Sequence, residues 1–578
     1  MNPFGSPAEP NEPTAVPAPA PAPHQPGLSP IDYSAEAWAA PSSPAGHTLP
    51  QPPPPPPPPS RHPAPPQAAA QPWQPAPRYA PIPPGPPTAY GAARQPVPVG
   101  PPWYRRVVAA VVVLAVLAGV LAIVFRQQLF PKSTGHPAQW DPRVTEIVHF
   151  VENTRGLKFD HPISIDFLAE ADFIHLFDQP AGGGPDAETA HAYSQIYDAF
   201  GLAVDYDITA GETAVSAVTT LGYYTPDEDR IYIRGDQLTA PVRVVLAHEL
   251  THALQAQHFQ IRLGGSNDLE VRAIVEADAM RVEDVYTSRL TEKERNEANA
   301  GNTLSDDSQD DLSDVPWAVV EQRYAPYALG PALVADAFAA KGNAGVDELI
   351  RKPPTERELL NPWTYGQGAV EADVTVDTPS GAKVLERPQP LSELQLLVML
   401  DAWLPWTEAR GALDGWAGGG YASYERGGGE SSSAGGDSDG EVCFTAKVHL
   451  TGGVDAFATA VRDWAEAAGS AATPATFGND VLFEACARGD DATAPPKPVI
   501  SPLQALVLEH EAIGLAGTDP SADEIKGYQC FAATLIDDPI AAPLLWLADR
   551  TDEQTTVFRA QEDIASDVCG VPRIDHST

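Results

Sequence analysis

The centre of the chain reads TAPVRVVLAHELTHALQAQHF at residues 239–259 and DLEVRAIVEADAMRVEDVYTSRL at residues 268–290. Thr239 can serve as an N-cap, and Pro241 suits the first turn of a helix. The apolar residues that follow predict a mostly buried helix. Valine, isoleucine and alanine at helical spacing predict a second helix over residues 268–290. We therefore expect two neighbouring buried helices at the centre of the fold.

The first helix carries the pattern H-E-x-x-H at His248, Glu249 and His252. Four residues turn a helix by about 400°, so the two imidazoles lie about 40° apart on one face and about 6 Å apart along the axis. This spacing lets both rings bind one Zn²⁺ at about 2.0–2.1 Å. Glu249 lies beside them and can take a proton from a water molecule on the zinc ion. The alternative is a buried helix with two hydrogen-bonded histidines and no metal.

The sequence offers three candidates for a third zinc ligand. Glu276 follows His252 by 24 residues, on the second helix. His258 has the spacing of the pattern H-E-x-x-H-x-x-G-x-x-H, but Gln255 stands where that pattern needs a helix-breaking glycine. Asp278 lies on the apolar stripe of the second helix, about 160° from Glu276. We favour Glu276 as the ligand and Asp278 as a buried hydrogen-bonding residue, because a buried carboxylate needs a partner.

The residues around the two helices contain further regular patterns. A strand is predicted over 161–168, and a hairpin over 221–235, where a Pro-Asp turn separates two β-rich runs. Helices are predicted over 138–155, 170–178, 187–203, 208–219, 316–326 and 328–341. The acidic stretch 292–314 predicts a loop. Together these elements predict an α+β domain over residues 138–368.

A second α+β region is predicted over residues 370–578. Strands are expected at 443–450 and 480–487, around a helix at 454–468. A loop rich in Gly, Ser and Asp is expected at 425–440. The segment 502–570 is expected to be mostly helical.

All four cysteines lie in this second region, and none forms a Cys-x-x-Cys pair, which argues against a cysteine zinc knuckle. Cys443–Cys486 and Cys530–Cys569 each bracket one compact segment. We therefore expect these two disulfides, which suit an oxidising compartment. Buried free thiols are the alternative.

Composition separates the first hundred residues from the rest. Residues 1–102 hold 36 of the 63 prolines, including the unbroken run from Pro52 to Pro59. Such a segment buries too little apolar surface to offset its chain entropy, so we expect a disordered Pro-rich tail that could bind a proline-recognising partner. The chain carries 36 Lys and Arg against 77 Asp and Glu, a net charge of −41. This charge argues against a nucleic-acid partner, because binding to phosphates needs a cationic face.

Residues 107–125 read VVAAVVVLAVLAGVLAIVF, without charge or proline. At about 1.5 Å per residue these 19 residues span about 29 Å, close to the thickness of a membrane core. Basic residues are balanced on the two sides, but the pair Arg105 and Arg106 favours a cytoplasmic N-terminus. The expected disulfides favour the same orientation. We expect a single-pass membrane protein with residues 126–578 outside the cytoplasm.

Several segments together resemble the gluzincins, zinc peptidases with H-E-x-x-H and a downstream helical Glu. The resemblance covers roughly residues 138–366 and is most specific to membrane-anchored or secreted actinobacterial metallopeptidases. The matching segments are LGYYTPDEDRIYIRG, LAHELTHALQAQHF, AIVEADA, APYALGPALVADAF and PPTERELLNPWTY. The resemblance implies a zincin-like catalytic domain, in which a small mixed sheet accompanies the H-E-x-x-H helix and the Glu helix. It implies His248, His252 and Glu276 as ligands and Glu249 as the base.

Two positions depart from this family. Met280 stands where thermolysin-type enzymes often have an Asp that supports a ligand histidine. Asn361 stands where relatives often have His. The group that stabilises the oxyanion therefore stays open, with four tyrosines as candidates: Tyr223, Tyr224, Tyr327 and Tyr365.

These observations predict a membrane-anchored zinc endopeptidase that hydrolyses extracytoplasmic proteins or peptides. An edge strand of the hairpin at 221–234 would align an extended substrate. Two other functions are considered. One is an inactive zincin-like protein that binds or scaffolds envelope components, and the other is an envelope tether that acts through the Pro-rich tail.

Overall fold

Helices and two small β-sheets make up the described part of the chain, which has a mixed α+β fold, as expected. The computed structural model describes residues 136–574 and 576, apart from 179–186, 260, 262–267, 303–311, 369–370, 386–387, 427–440, 490–491, 518–519 and 548–549. The predicted tail (1–102) and membrane helix (107–125) lie outside these residues. Among the described helices, none combines the length and apolar character needed to cross a bilayer.

The region up to residue 368 is mostly helical, with three short strands. Its strands are β1 (Ser164–Leu168), β2 (Gly222–Thr225) and β3 (Arg230–Arg234). Its helices are α1 (Thr145–Arg155), α2 (Glu170–Asp178), α3 (Ala187–Ala199), α4 (Ile208–Thr219), α5 (Ala240–His258), α6 (Asp268–Thr287), α7 (Glu292–Asn302), α8 (Trp317–Lys341), α9 (Asn343–Arg351) and α10 (Glu356–Leu360).

The first sheet is mixed, with strand order β1-β3-β2. β3 pairs in parallel with β1 and antiparallel with β2, so the predicted hairpin is confirmed. The Arg234 N–H donates to the Leu221 carbonyl oxygen at 2.9 Å. Because bonded and non-bonded pairs alternate in an antiparallel ladder, the backbone groups of Gly222 and Tyr224 point away from β3. β2 therefore presents an open edge, which pairs with no other strand among the described residues.

Helix α5 packs under this sheet and forms the base of its core. It begins after Thr239, with Pro241 in its first turn. Leu246 and Leu250 are fully buried, in one cluster with Ile231 and other apolar residues of β3 and α1. Burying one such side chain stabilises a fold by about 1.5–3 kcal/mol. The apolar run in the sequence therefore produces the buried helix that was predicted.

Helix α6 lies between α5 and α8. At Gly330 of α8 an added Cβ atom would lie 1.9 Å from the backbone oxygen of Ala273. Only glycine allows the two helices to approach so closely. α8 is thereby brought next to the part of α6 that contains Glu276.

The region after residue 370 is built on a second sheet, of six strands. Its strands are β4 (Lys383–Val384), β5 (Gln389–Pro390), β6 (Trp416–Arg426), β7 (Glu441–Leu450), β8 (Ala475–Phe477) and β9 (Asp480–Cys486). Its helices are α11 (Glu393–Asp401), α12 (Trp406–Ala412), α13 (Val454–Ala468), α14 (Pro502–Gly514), α15 (Ala522–Asp537), α16 (Ala542–Leu545) and α17 (Asp552–Cys569). The predicted strands at 443–450 and 480–487 and the helix at 454–468 are confirmed.

The two expected disulfides are present. Cys443 and Cys486 are directly opposite each other on β7 and β9, and their sulfur atoms are bonded. Cys530 of α15 is bonded to Cys569 at the end of α17. One bond therefore joins two strands of the sheet, and the other joins two helices of the C-terminal segment.

Several elements differ from the predictions, and the helix expected over 138–155 begins at Thr145. The loop expected at 292–314 contains helix α7, because Thr291 and Glu294 form reciprocal hydrogen bonds that start a helix. The helices expected at 316–326 and 328–341 are one helix, α8, which continues through Pro326 and Pro331. Strand β6 was not predicted, because its sequence WAGGGYASYER is rich in glycine.

The apolar core crosses the boundary predicted near residue 369. Ala273 and Leu329 belong to the same buried cluster as Phe444 and Trp464 of the second region. A buried ion pair also joins the two parts, since Arg488 Nε lies 3.0 Å from Asp198 Oδ1. The two predicted regions therefore share one large core.

Candidate metal centre

Three side chains from two helices meet at one point. His248 Nε2 and His252 Nε2, both on α5, lie 3.0 Å apart. Glu276 Oε2, on α6, lies 3.1 Å from each of them. All three side chains are largely buried. The structure thus brings together the three residues that were predicted as ligands.

The positions of these atoms allow a test of whether they could hold one ion. The two Nε2 atoms and Glu276 Oε2 form a nearly equilateral triangle with a circumradius of about 1.8 Å. An ion slightly above the centre of this triangle would lie about 2.0–2.1 Å from all three atoms, which is the distance that zinc keeps from imidazole nitrogen and carboxylate oxygen. Two histidines and one glutamate are also a donor set of catalytic zinc sites, in which a fourth position stays open. The residues therefore fit a zinc ion.

The two other candidate ligands lie in different surroundings. His258 is the last residue of α5, and its Nε2 atom lies 2.6 Å from the backbone oxygen of Lys158. Asp278 is fully buried and forms an ion pair with Arg155, whose Nε atom lies 2.8 Å from Asp278 Oδ2. Asp278 is therefore the buried hydrogen-bonding residue that was expected, and neither residue joins the triangle.

The second nitrogen of each histidine ring is held by a side chain that the sequence analysis did not identify. Glu283 Oε2 lies 2.9 Å from His248 Nδ1. Gln255 Oε1 lies 3.0 Å from His252 Nδ1 and can accept its hydrogen. Such contacts fix the tautomer and orientation of a metal-binding ring. The signal for Glu283 was its position seven residues after Glu276, which places it two turns further on the same helix face.

Gln255 is in turn held by the buried network around Asp278. Its Nε2 atom donates to Asp278 Oδ2 at 2.9 Å and to the Val275 carbonyl oxygen at 3.0 Å. The other carboxylate oxygen of Asp278 accepts from Arg281 at 3.0 Å. A chain of contacts therefore runs from Arg155 on α1 through α6 to His252 on α5.

Glu249 lies beside the triangle without being part of it. Its Oε2 atom accepts a hydrogen bond from the backbone N–H of Tyr224, at 2.7 Å. This is the N–H that β2 directs towards its open edge. Burial raises the pKa of the Glu249 carboxyl, and the neighbouring imidazoles of His248 and His252 offset part of this effect. A carboxylate with a raised pKa is a stronger base, which suits proton transfer.

The charges around the triangle favour a cation. Burial alone would raise the pKa of Glu276, but the two imidazoles hold it well below its usual value. For His248 burial acts in the opposite direction and would lower the pKa. Hydrogen bonds with Glu276 and Glu283 outweigh burial and raise the pKa of His248 well above its usual value. The carboxylates therefore stabilise positive charge among the three donor atoms.

Comparisons with known proteins were made for the whole chain. No family model, curated protein or solved structure matches it. The gluzincin resemblance therefore stays a prediction. The geometry of the triangle is the evidence for a metal site.

Helix α8 contributes two polar groups near the triangle. Arg323 and Tyr327 lie one turn apart, with Arg323 Nη1 3.5 Å from the Tyr327 hydroxyl oxygen. Burial raises the pKa of Tyr327, and the charge of Glu276 raises it further. The charge of Arg323 also interacts with Glu276. Arg323 was not predicted from the sequence, and Tyr327 was one of four tyrosine candidates.

The other tyrosine candidates have different contacts. The ring of Tyr223 packs on Tyr232, with 5.7 Å between the centroids. The hydroxyl group of Tyr224 donates to Asp229 Oδ1 at 3.0 Å. Tyr365 is 39% exposed. Tyr327 is therefore the tyrosine whose interactions reach the triangle.

Asn361, where relatives often have His, takes part in a buried contact between helices. Its Oδ1 atom accepts from Arg410 at 2.6 Å, and its Nδ2 atom donates to the Arg357 carbonyl oxygen at 2.9 Å. These bonds join α10 to α12. They give Asn361 a structural role.

Proposed function

We propose that this chain is a zinc-dependent endopeptidase with a zincin-like catalytic domain. His248, His252 and Glu276 would hold the zinc ion, and Glu249 would act as the general base. The observation that carries the proposal is the arrangement of Glu249. It lies beside the three donor atoms and is oriented by the same strand that offers an open edge.

Each residue has a defined task in this proposal. A zinc ion in the triangle would polarise the scissile carbonyl group and make an attacking water molecule more acidic. Glu249 would accept a proton from that water and pass it to the leaving amine. Arg323 and Tyr327 would stabilise the negative charge that develops on the carbonyl oxygen, since the charge of Glu276 acts on the pKa of both.

The substrate would bind as an added strand. Gly222 and Tyr224 direct backbone groups away from β3, and an extended peptide could pair with those groups that Glu249 does not occupy. The Tyr224 N–H already binds Glu249, so the scissile bond would lie near this residue. The proposed substrates are extracytoplasmic proteins or peptides, because residues 107–125 would anchor the chain in a membrane with residues 126–578 outside.

Replacing Glu249 tests the proposal most directly. Glu249→Gln keeps the shape and the bond to the Tyr224 N–H but removes the base. We expect cleavage of a proteome-derived peptide library to fall by about 10²–10⁴-fold, the usual contribution of general-base catalysis. Bound zinc, measured by elemental analysis, should be unchanged. Glu297→Gln, at an exposed ion pair on α7, is the matched control and should keep full activity. Undiminished cleavage by Glu249→Gln would refute the assignment.

The same experiment separates catalysis from a scaffolding role. The two departures from the family, Met280 and Asn361, would favour the scaffolding alternative, because supporting residues are missing there. Glu283 supplies a carboxylate to His248 from another position, which weakens that reasoning. A native chain that binds zinc but cleaves no peptide of the library would favour the scaffold.

A further inference from the structure

A second group of histidines and a carboxylate lies at the turn of the β2–β3 hairpin. Asp229 Oδ2 lies 2.8 Å from His136 Nδ1 and 3.3 Å from His161 Nδ1. The donor atoms of all three residues lie within 4.8 Å of one another. The three residues come from separate places, since His136 precedes α1, His161 follows α1, and Asp229 belongs to the hairpin turn. We call this group the hairpin cluster.

The surroundings of His161 make conflicting demands on its Nδ1 atom. Gln257 accepts the N–H of Asp160 with its amide oxygen at 2.8 Å. Its amide nitrogen donates to the His161 carbonyl oxygen at 3.1 Å and also lies 3.4 Å from Nδ1. An N–H donor at this position favours an Nδ1 atom without hydrogen. Asp229 Oδ2 and the Pro162 carbonyl oxygen, each at 3.3 Å, favour an Nδ1 atom with hydrogen. Without a hydrogen, the lone pair of Nδ1 would face those of the two oxygen atoms. A cation beside Nδ1 would remove this repulsion.

The two rings also lie unusually close. The centroids of His136 and His161 are 3.4 Å apart, with 23° between the ring planes. Both rings place their Nδ1 atoms beside the same oxygen atom, Asp229 Oδ2.

Asp229 is positioned to offer one oxygen atom. Its backbone has a φ of 49°, in the left-handed region that aspartate tolerates better than most residues. Its Oδ1 atom accepts a hydrogen bond from the Tyr224 hydroxyl group at 3.0 Å. This bond orients the carboxylate and leaves Oδ2 directed at the two imidazoles, as supporting contacts do in metal sites.

We infer that the hairpin cluster is a second metal site, which binds a divalent transition-metal ion of the zinc class. Two imidazoles and one carboxylate suit such ions better than Mg²⁺ or Ca²⁺, which prefer oxygen ligands. The ion would join the segment before α1, the loop after α1 and the hairpin turn. Because β2 holds Glu249, this ion would steady the strand that positions the proposed base. The site itself does not depend on the proposed peptidase activity.

Counting metal ions in single and double variants tests this inference. The full-length chain is freed of metal, saturated with zinc, separated from unbound zinc and analysed for zinc per chain. We expect two ions in the native chain and one in His136→Ala, His161→Ala or Asp229→Asn. His252→Ala should also hold one, and the double variant His136→Ala/His252→Ala none. The His136 side chain is half exposed (52%), so its removal should leave the fold intact, as circular dichroism can show.

A matched control excludes ordinary surface histidines. His449 Nδ1 lies 2.7 Å from Asp480 Oδ1 but has no second imidazole beside it. His449→Ala should therefore keep two ions. Zinc content that both His136→Ala and Asp229→Asn leave unchanged would overturn the inference, whether the native chain holds one ion or two. This result would not bear on the loss of cleavage expected for Glu249→Gln, so the two proposals fail independently.

Discussion

The two groups of histidines differ in how firmly their rings are held. In the triangle, the rings of His248 and His252 lie at 77° to each other, and a further side chain holds the Nδ1 atom of each. In the hairpin cluster, the rings of His136 and His161 are stacked at 23°, and the side chain of His136 is 52% exposed. The first group lies on two packed helices, and the second lies on loops and a turn.

This difference in ring orientation affects how tightly each group can bind a metal ion. A metal ion bound to an imidazole lies near the plane of the ring, so the stacked rings would have to turn before they could share an ion. The rings of the triangle already point towards one place. Since preorganised ligands avoid this cost, we expect the triangle to bind zinc more tightly than the hairpin cluster.

The largest expected effect comes from removing the buried support of the triangle. Asp278→Ala leaves the side chain of Arg155 buried without this partner, and breaking a buried ion pair costs about 3–5 kcal/mol. It also removes an acceptor of Gln255, so zinc binding should weaken. The free energy of unfolding can be measured with urea.

A matched control for this variant is Glu348→Gln. Glu348 pairs with Lys341, and both side chains are 61% exposed. Exposed pairs contribute little to stability, so the free energy of unfolding of this variant should be close to that of the native chain. Equal free energies of unfolding of the two variants would show that the network around Asp278 does not stabilise the fold. Equal zinc affinities would show that it does not support the triangle.

Local patterns in the sequence predicted much of the first region. The hairpin, α5 and α6 were predicted because their apolar residues follow the spacing of strands and helices. His248, His252 and Glu276 were predicted from one motif and one helix. Their approach to one another follows from the packing of α5 on α6, and burial makes that packing favourable.

Features that depend on distant contacts were missed. Glycines in β6 made a strand improbable, yet a Cβ atom at Gly419 would lie 2.4 Å from the Leu391 backbone oxygen and one at Gly420 2.4 Å from that of Val374. The strand therefore needs glycine where another segment crosses it. α8 continues through Pro326 because its buried packing outweighs the cost of about 3 kcal/mol for a proline inside a helix. Arg323 gave no signal, because its interaction with Glu276 crosses from α8 to α6.

A smaller effect is expected from the contact between Glu283 and His248. Glu283→Gln keeps a hydrogen-bonding group but removes the charge that supports the ring. Loss of a supporting contact usually lowers metal affinity by about 10–100-fold, and we expect a decrease within this range. Glu297→Gln, at the exposed ion pair with Lys293 on α7, removes a carboxylate elsewhere and should leave the affinity unchanged. Calorimetric titration with zinc measures both. Equal affinities of native and Glu283→Gln chains would contradict the role given to Glu283.

The smallest expected effect tests whether the two groups act separately. Tyr224 touches the hairpin cluster and the proposed base beside the triangle, because its hydroxyl group donates to Asp229 and its backbone N–H donates to Glu249. Tyr224→Phe removes only the hydroxyl group. A hydrogen bond to a charged group contributes about 1.5–3 kcal/mol when buried and less near solvent, so zinc binding at the hairpin cluster should weaken by about 10-fold or less. Binding at the triangle should not change, because the backbone bond remains. We would measure the two sites separately, in the His252→Ala and His136→Ala backgrounds. An equal loss of zinc affinity at the triangle would show that the hydroxyl group couples the two groups. The triangle and the hairpin cluster would then not be independent sites.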